Sequence, residues 1–344
     1  MVAHCVRIVP ASVSSYTVSM KKLLGILVLG LLWCNAGYAE NFKCFSKTGF
    51  VTKNYKFKED IKLKDPENTI IFIFHHGGRG DSAAKNNDCA FDKDYIKNVF
   101  KLSKENFGAK KNLVYIVNTK PFYGDAYKDR KNKSKWKAFP AGKYPGKTKT
   151  EKKIDYTNEI IDNFTKRGIK PNNIIISGHS CGGWLTLMYV ARYPEKVRGG
   201  IAYHPACFDR MTEFEIWTAD GKWDYFEDHN WKCPTKDKYD GEYACARAYF
   251  NLRITNIAEI RNAKDLKVAV VHNEDDPYEG KTSKWLKNIK SIELIETPTK
   301  EDNYKINGKS CIAKDSKKNK SIGHDVFSSS CMPEFFPIIV KYFK

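Results

Sequence analysis

Asn173–Tyr193 reads NIIISGHSCGGWLTLMYVARY, and the fold turns on it. Asn173–Ser177 is short, apolar and β-branched, the composition of a strand buried on both faces. Trp184–Tyr193 is apolar at most positions, as a buried helix is, and Pro194 stops it. Between them lies Gly178-His179-Ser180-Cys181-Gly182-Gly183. Glycines two residues before and two after Ser180 permit a sharp strand-to-helix turn. Such a turn predicts a strained Ser180 whose hydroxyl is presented at the C-terminal end of the strand. The N-terminus of the next helix then favours negative charge developing beside it. A bare G-x-S-x-G arises often by chance. A strand before it and a helix after it make it specific.

The same alternation extends in both directions. Thr69–Phe74 (TIIFIF), Leu113–Val117 (LVYIV), Gly200–Tyr203, Val268–His272 and Ile292–Ile295 read as further strands. Phe91–Phe107, Thr150–Arg167, Lys284–Ile289 and Pro333–Phe343 read as helices, and Gly168 with Pro171 closes the second of them. Strands alternating with helices imply crossover units and a mostly parallel sheet covered on both faces. No internal repeat is visible. Three stretches break the rhythm. Phe208–Asn262 is far longer than a usual connection and holds Trp217, Trp223 and Trp231, as a lid or binding loop does. Thr297–Ser321 and Tyr127–Lys153 are Lys-rich and read as exposed.

Two more points carry chemistry. His75-His76-Gly77-Gly78-Arg79-Gly80-Asp81 follows the strand TIIFIF. Glycine lets a backbone N–H approach a substrate oxygen closely, so the donors expected for an oxyanion are the N–H groups of Gly78 and Cys181. The run lacks the Gly-Lys-Ser/Thr ending of a phosphate loop, and His76 reads as a scaffold residue rather than a metal ligand. A serine hydroxyl is a poor nucleophile until an imidazole takes its proton, and that imidazole needs a carboxylate to fix its tautomer. Val268–His272 is followed by Asn273-Glu274-Asp275-Asp276-Pro277, which offers Asp276 as the acid, with Asp275 as its competitor. Of eight histidines, only His324, in Gly323-His324-Asp325, lies in a late loop beyond that acid. No metal ligand set and no cofactor motif is called for. No two cysteines show the close Cys-x-x-Cys spacing of structural zinc sites.

The N-terminus reads as an address. Met20-Lys21-Lys22, the apolar run Leu23–Trp33 and the small residues Gly37 and Ala39 make a secretory signal peptide, cleaved after Ala39. The run is too short to span a bilayer, so the mature chain, residues 40–344, is expected without a transmembrane helix in a secreted or periplasmic setting. Over 344 residues the chain has 42% hydrophobic residues, which excludes wholesale disorder, and a formal charge of +19. Residues 1–39 hold Arg7, Lys21, Lys22 and no acid, so the mature chain carries +16. The base is mostly Lys, 49 against 10 Arg, which disfavours nucleic acid as a partner and leaves an anionic envelope surface.

The pieces HHGGRGD, GHSCGGW, HNEDDPY and GHDVF, in the order Ser…Asp…His, resemble the α/β-hydrolase superfamily in its single-domain, dienelactone-hydrolase-like esterase branch. The resemblance runs from about Thr69 to Lys344. It implies an eight-stranded, mostly parallel sheet with helices on both faces, an inserted lid over about 208–262, and no cofactor. It also implies Ser180 as nucleophile, His324 as base and Asp276 as acid, acting on a small or oligomeric carboxylic ester through an acyl-enzyme. Trp217, Trp223 and Trp231 become substrate-binding residues. A peptidase or amidase of the same fold, or a non-catalytic envelope-binding protein, is the alternative. Export and this fold together imply four disulfides: Cys44–Cys89, Cys181–Cys207, Cys233–Cys245 and Cys311–Cys331.

Overall fold

The computed structural model describes residues 49–51, 57–58, 60–77, 93–105, 107, 113–118, 149–207, 255–280, 283–314, 316–317 and 321–344. All belong to one compact unit, Lys43–Lys344. The expected leader and Trp217, Trp223 and Trp231 lie outside the described residues, as do Gly78 and the cysteines at 44, 89, 233 and 245.

The strands are β1 (Gly49–Val51), β2 (Phe57–Lys58), β3 (Thr69–His75), β4 (Leu113–Asn118), β5 (Ile174–His179), β6 (Gly199–Tyr203), β7 (Val268–His272) and β8 (Ile292–Glu296). They form one eight-stranded sheet in the order β2-β1-β4-β3-β5-β6-β7-β8. From β4 to β8 every neighbouring pair is parallel, while β1 runs antiparallel to both β4 and β2. The helices are α1 (Lys93–Leu102), α2 (Lys149–Lys166), α3 (Cys181–Arg192), α4 (255–262) and α5 (Phe336–Phe343).

Strand β3 shows how both faces are filled. All seven of its residues are buried. Ile71 and Ile73 point to one side, into a core with Ile154, Ile161 and Phe164 of α2, Trp184 and Leu185 of α3, and Ile257 and Ile260 of α4. Phe72 and Phe74 point to the other, where their rings meet Phe107 at 5.3 Å and Phe327 at 6.0 Å. Phe107 in turn meets Phe343 of α5 at 6.2 Å. Helices therefore cover both faces, and a strand buried on both sides needs the unbroken apolar run seen in its sequence. The strand order, the crossovers and the two covered faces make this the α/β-hydrolase fold.

Four expectations are corrected in detail. Lys284–Ile289 is not α-helical but a 3₁₀ segment, Ser283–Asn288. The last helix is likewise split into a 3₁₀ turn, Met332–Phe335, ahead of α5, with Pro333 and Pro337 removing backbone donors. The Lys-rich stretch after β8 is not all loop. It holds the hairpin β9 (Lys305–Ile306) and β10 (Lys309–Ser310), turned by Asn307 and Gly308, both at positive φ (49° and 74°). The end of the expected insert, 255–262, is a helix packed into the main core rather than part of a cover. The short strands β1 and β2, three and two residues long, leave no pattern in sequence.

Candidate active site

Strand β5 ends at His179, and α3 begins at Cys181. Ser180 sits between them at φ 56°, ψ −124°, left-handed backbone that only surrounding contacts hold in place. Those contacts come from the chain after β6. Ser180 N–H donates to the Tyr203 carbonyl at 3.0 Å, and Ala206 N–H donates to the Ser180 carbonyl at 3.2 Å. The hydroxyl lies 3.5 Å from the Ala206 carbonyl. Disulfide Cys181–Cys207 ties the two segments covalently, with Cα atoms 4.7 Å apart. Gly182 makes the turn possible: a Cβ there would stand 2.2 Å from the His75 carbonyl oxygen. A Cβ at Gly77 would meet the Ser180 Cβ at 2.8 Å, so the Gly-rich run after β3 packs directly on the serine.

Asp276 lies in the turn after β7 and is buried. Its Oδ1 accepts Tyr278 N–H at 2.8 Å, and its Oδ2 accepts His324 Nδ1–H at 2.8 Å. The competitor Asp275 points away and accepts Lys300 N–H at 2.6 Å. Buried Asn273 braces the turn. Its side chain donates to Thr297 Oγ1 at 2.8 Å and accepts Asp275 N–H at 2.9 Å. His324 is held on its own loop by N–H donation to Ser321 O at 3.0 Å, and Ser321 hydrogen-bonds the Asp325 carboxylate. Disulfide Cys311–Cys331 brackets this loop. Tyr278, exposed at the rim, sets its ring edge-on to His324 at 4.6 Å.

Electrostatics separates His324 from the other histidines around it. Burial pulls its pKa down. The Asp276 charge and hydrogen bond, with Asp325 and Glu279 further off, overcome that and hold it above its ordinary value. His179 is pushed down to about 4 by burial and by facing His324. His75 falls to about 3 through burial and the nearby Lys153. His204 and His272 are lowered too, burial being the main cause. One imidazole is thus poised to accept a proton, and its neighbours stay neutral.

Ser180 and Cys181 directly follow β5 and Asp276 lies in the turn after β7, whereas His324 lies on a later loop beyond the β9–β10 hairpin. His76, the expected scaffold residue, is buried with its Nδ1 2.6 Å from Gly77 O. Among the described residues no three His, Cys, Asp or Glu side chains are grouped to hold a metal. Sequence reasoning missed His179 and His204. The signal was present: a histidine beside the serine, and another closing an otherwise apolar strand before Pro205.

Residues 140–217, which include Ser180, Cys181 and Cys207, match a family described as phospholipase/carboxylesterase. No curated protein sequence matches the chain. Among solved structures it resembles Est1E from Butyrivibrio proteoclasticus, at 14% identity over 81% of this chain and 88% of that one, with a TM-score of 0.45. An esterase of Pyrobaculum calidifontis matches at 14% identity over 82% and 78% of the two chains, with a TM-score of 0.44. A putative hydrolase of Bacillus subtilis matches at 13% over 89% and 96%, with a TM-score of 0.42.

Proposed function

We propose that this protein is a secreted serine hydrolase that cleaves carboxylic esters. The observation that carries the reading is the 2.8 Å hydrogen bond from His324 to Asp276 on loops that meet beside the strained Ser180 turn. In the reaction His324 Nε2 takes the Ser180 hydroxyl proton as the oxygen attacks the ester carbonyl. Asp276 keeps the proton on Nδ1 and stabilises the imidazolium. The Cys181 N–H, at the first turn of α3, faces the developing oxyanion, with Gly78 as its partner donor. The imidazolium then protonates the departing alcohol. Water, activated by the same base, releases the acid and restores Ser180.

The loop insert with Trp217, Trp223 and Trp231 supplies the apolar walls for the ester in this reading. Export through the leader Met20–Ala39 accords with the two disulfides. Among the described residues no helix is long and apolar enough to cross a membrane.

The test is Ser180→Ala, assayed on a short-chain 4-nitrophenyl ester and by fluorophosphonate labelling beside the unmutated protein. Loss of both turnover and labelling in a folded variant is expected. Undiminished turnover in Ser180→Ala would refute the reading.

A further inference from the structure

His204 is the residue of this site that the acyl-transfer chemistry leaves unused. It follows directly on β6, and its backbone N–H still pairs with Val271 O of β7 at 2.8 Å. Its φ is +44°, a left-handed conformation that a β-carbon makes costly. The ring lies 6.2 Å from the His179 ring and 6.2 Å from the His324 ring, centre to centre. The segment it belongs to is the one that holds Ser180 through the Tyr203 carbonyl and the Ala206 N–H.

The residue is 1% exposed, and among the described residues neither Nδ1 nor Nε2 has a hydrogen-bond partner. Two unpaired buried polar atoms on one side chain are rare, because each costs on the order of 1–3 kcal/mol. Strain and unmet hydrogen bonding coincide on one residue beside the serine, which is the mark of a group kept for a ligand. His324 is nearly as enclosed, at 5% exposure, so burial of this degree is a property of the site interior.

We propose that His204 is a substrate-recognition residue, and that the esters this site prefers carry a hydroxyl group close to the scissile carbonyl. The assignment rests on the ester-hydrolase reading above and narrows its substrate class. The chemistry of the ring selects the hydroxyl. Burial, and the neighbouring His179, His324 and His272, keep the imidazole neutral, with one N–H and one lone pair. A hydroxyl both donates and accepts, so it pairs with either nitrogen in either tautomer. A carboxylate or phosphate would meet a single donor and no positive charge. A plain alkyl chain would leave both nitrogens unpaired, and a site built around a hydrogen bond discriminates strongly against a substrate that cannot make it.

The experiment compares kcat/KM for 4-nitrophenyl butanoate with its 2-hydroxy and 3-hydroxy analogues. It uses the wild type, His204→Leu and His204→Gln. The wild type should favour one hydroxylated ester by about tenfold or more, consistent with one hydrogen bond at a desolvated site. His204→Leu should bring that ratio to within about twofold of one, and His204→Gln, which keeps a donor and an acceptor, should restore part of it. An active wild type with no preference for either hydroxylated ester overturns the assignment, whether or not the variants fold. A His204→Leu enzyme that keeps the wild-type ratio overturns it too, leaving the ring satisfied by a resident water. A wild type that hydrolyses none of the esters and takes no fluorophosphonate label sinks the ester-hydrolase reading itself, a separate result.

Discussion

His179 donates through Nε2 to the main-chain carbonyl of His324 at 2.9 Å, so the residue before Ser180 holds the loop that carries the proposed base. Both residues are buried. The bond joins the end of β5 to a loop 145 positions later in the chain, and it fixes their separation without using either functional side-chain atom of the proposed pair. In His179→Leu that carbonyl loses a buried donor. A stability loss of about 1–3 kcal/mol is expected, read as a lower urea midpoint. The drop in kcat should exceed any rise in KM, because the substitution displaces the proposed base rather than the proposed ester-binding residues. A variant with wild-type midpoint and kcat would contradict this role.

Asp276→Asn should separate charge from shape. The amide retains the packing but favours the wrong tautomer of His324, and a loss of roughly 10⁴ in kcat is expected. The wild-type kcat/KM should rise with pH through a value above the ordinary histidine pKa, since the Asp276 charge holds His324 up. Removing that charge should move the acid limb of the residual activity to lower pH. A limb that stays where it was would show that Asp276 is not what raises His324.

Stability should fall steeply in mild acid. His75, His179, His204 and His272 all have lowered pKa values in the folded chain, two of them to about 3 and about 4. Unfolded, each takes a proton near its ordinary value of about 6.5. Below that pH the unfolded state binds more protons, so stability present at neutrality is lost as pH falls toward the folded values. The loss is at most about 1.4 kcal/mol per pH unit for each ring. His324, raised, has the opposite sign: its contribution is full below the unfolded pKa and is lost as pH rises through the folded one. Four against one gives net destabilisation in acid. Thermal melts at pH 7.5, 6, 5 and 4.5 measure it, and a flat profile would be inconsistent with neutral buried histidines.

The two disulfides should differ in their response to reductant. Cys311 and Cys331 are almost fully buried, at 1% and 0%, whereas Cys181 and Cys207 are partly exposed. Dithiothreitol applied to the native protein should therefore open Cys181–Cys207 first. That bridge spans 26 residues, and its loss should cost about 3–4 kcal/mol of stability. It also frees Cys181, the proposed oxyanion donor, so activity should fall at least tenfold. Alkylation and peptide mapping, run beside the assay, would report which bridge had opened. Full activity after selective opening of this bridge would count against the tether.

The six parallel strands were legible to within a residue or two: β3, β5, β6 and β7 are buried throughout and mostly apolar, and the partly buried β8 still shows apolar Ile292, Leu294 and Ile295. The serine turn was legible for a different reason: a sharp turn demands glycine on both sides, and that demand is local. Asp276 and Asp275 were harder to separate, since both lie in one turn and only Asn273 bracing and the reach of Lys300 decide which points inward. The Asn307-Gly308 hairpin was written in its turn residues but hidden among lysines. The environment of His204 was not legible. The residue's identity as a strand-ending histidine is plain, but its positive φ and unpaired nitrogens arise from strands that meet only in the folded sheet.

The chain leaves the sheet at His75, Asn118 and Tyr203 on the same rim as Ser180, a direct result of strands that all run one way. Beyond Gly77 and the Ala206–Cys207 tether, connections leaving that rim can change length and composition without disturbing a registered pair beneath it. Selectivity and foldability are then separable traits, inherited and altered independently. A library that recombines the segments after these three strands, while keeping β3 to β8 intact, would search substrate space on a scaffold that has already solved its folding problem.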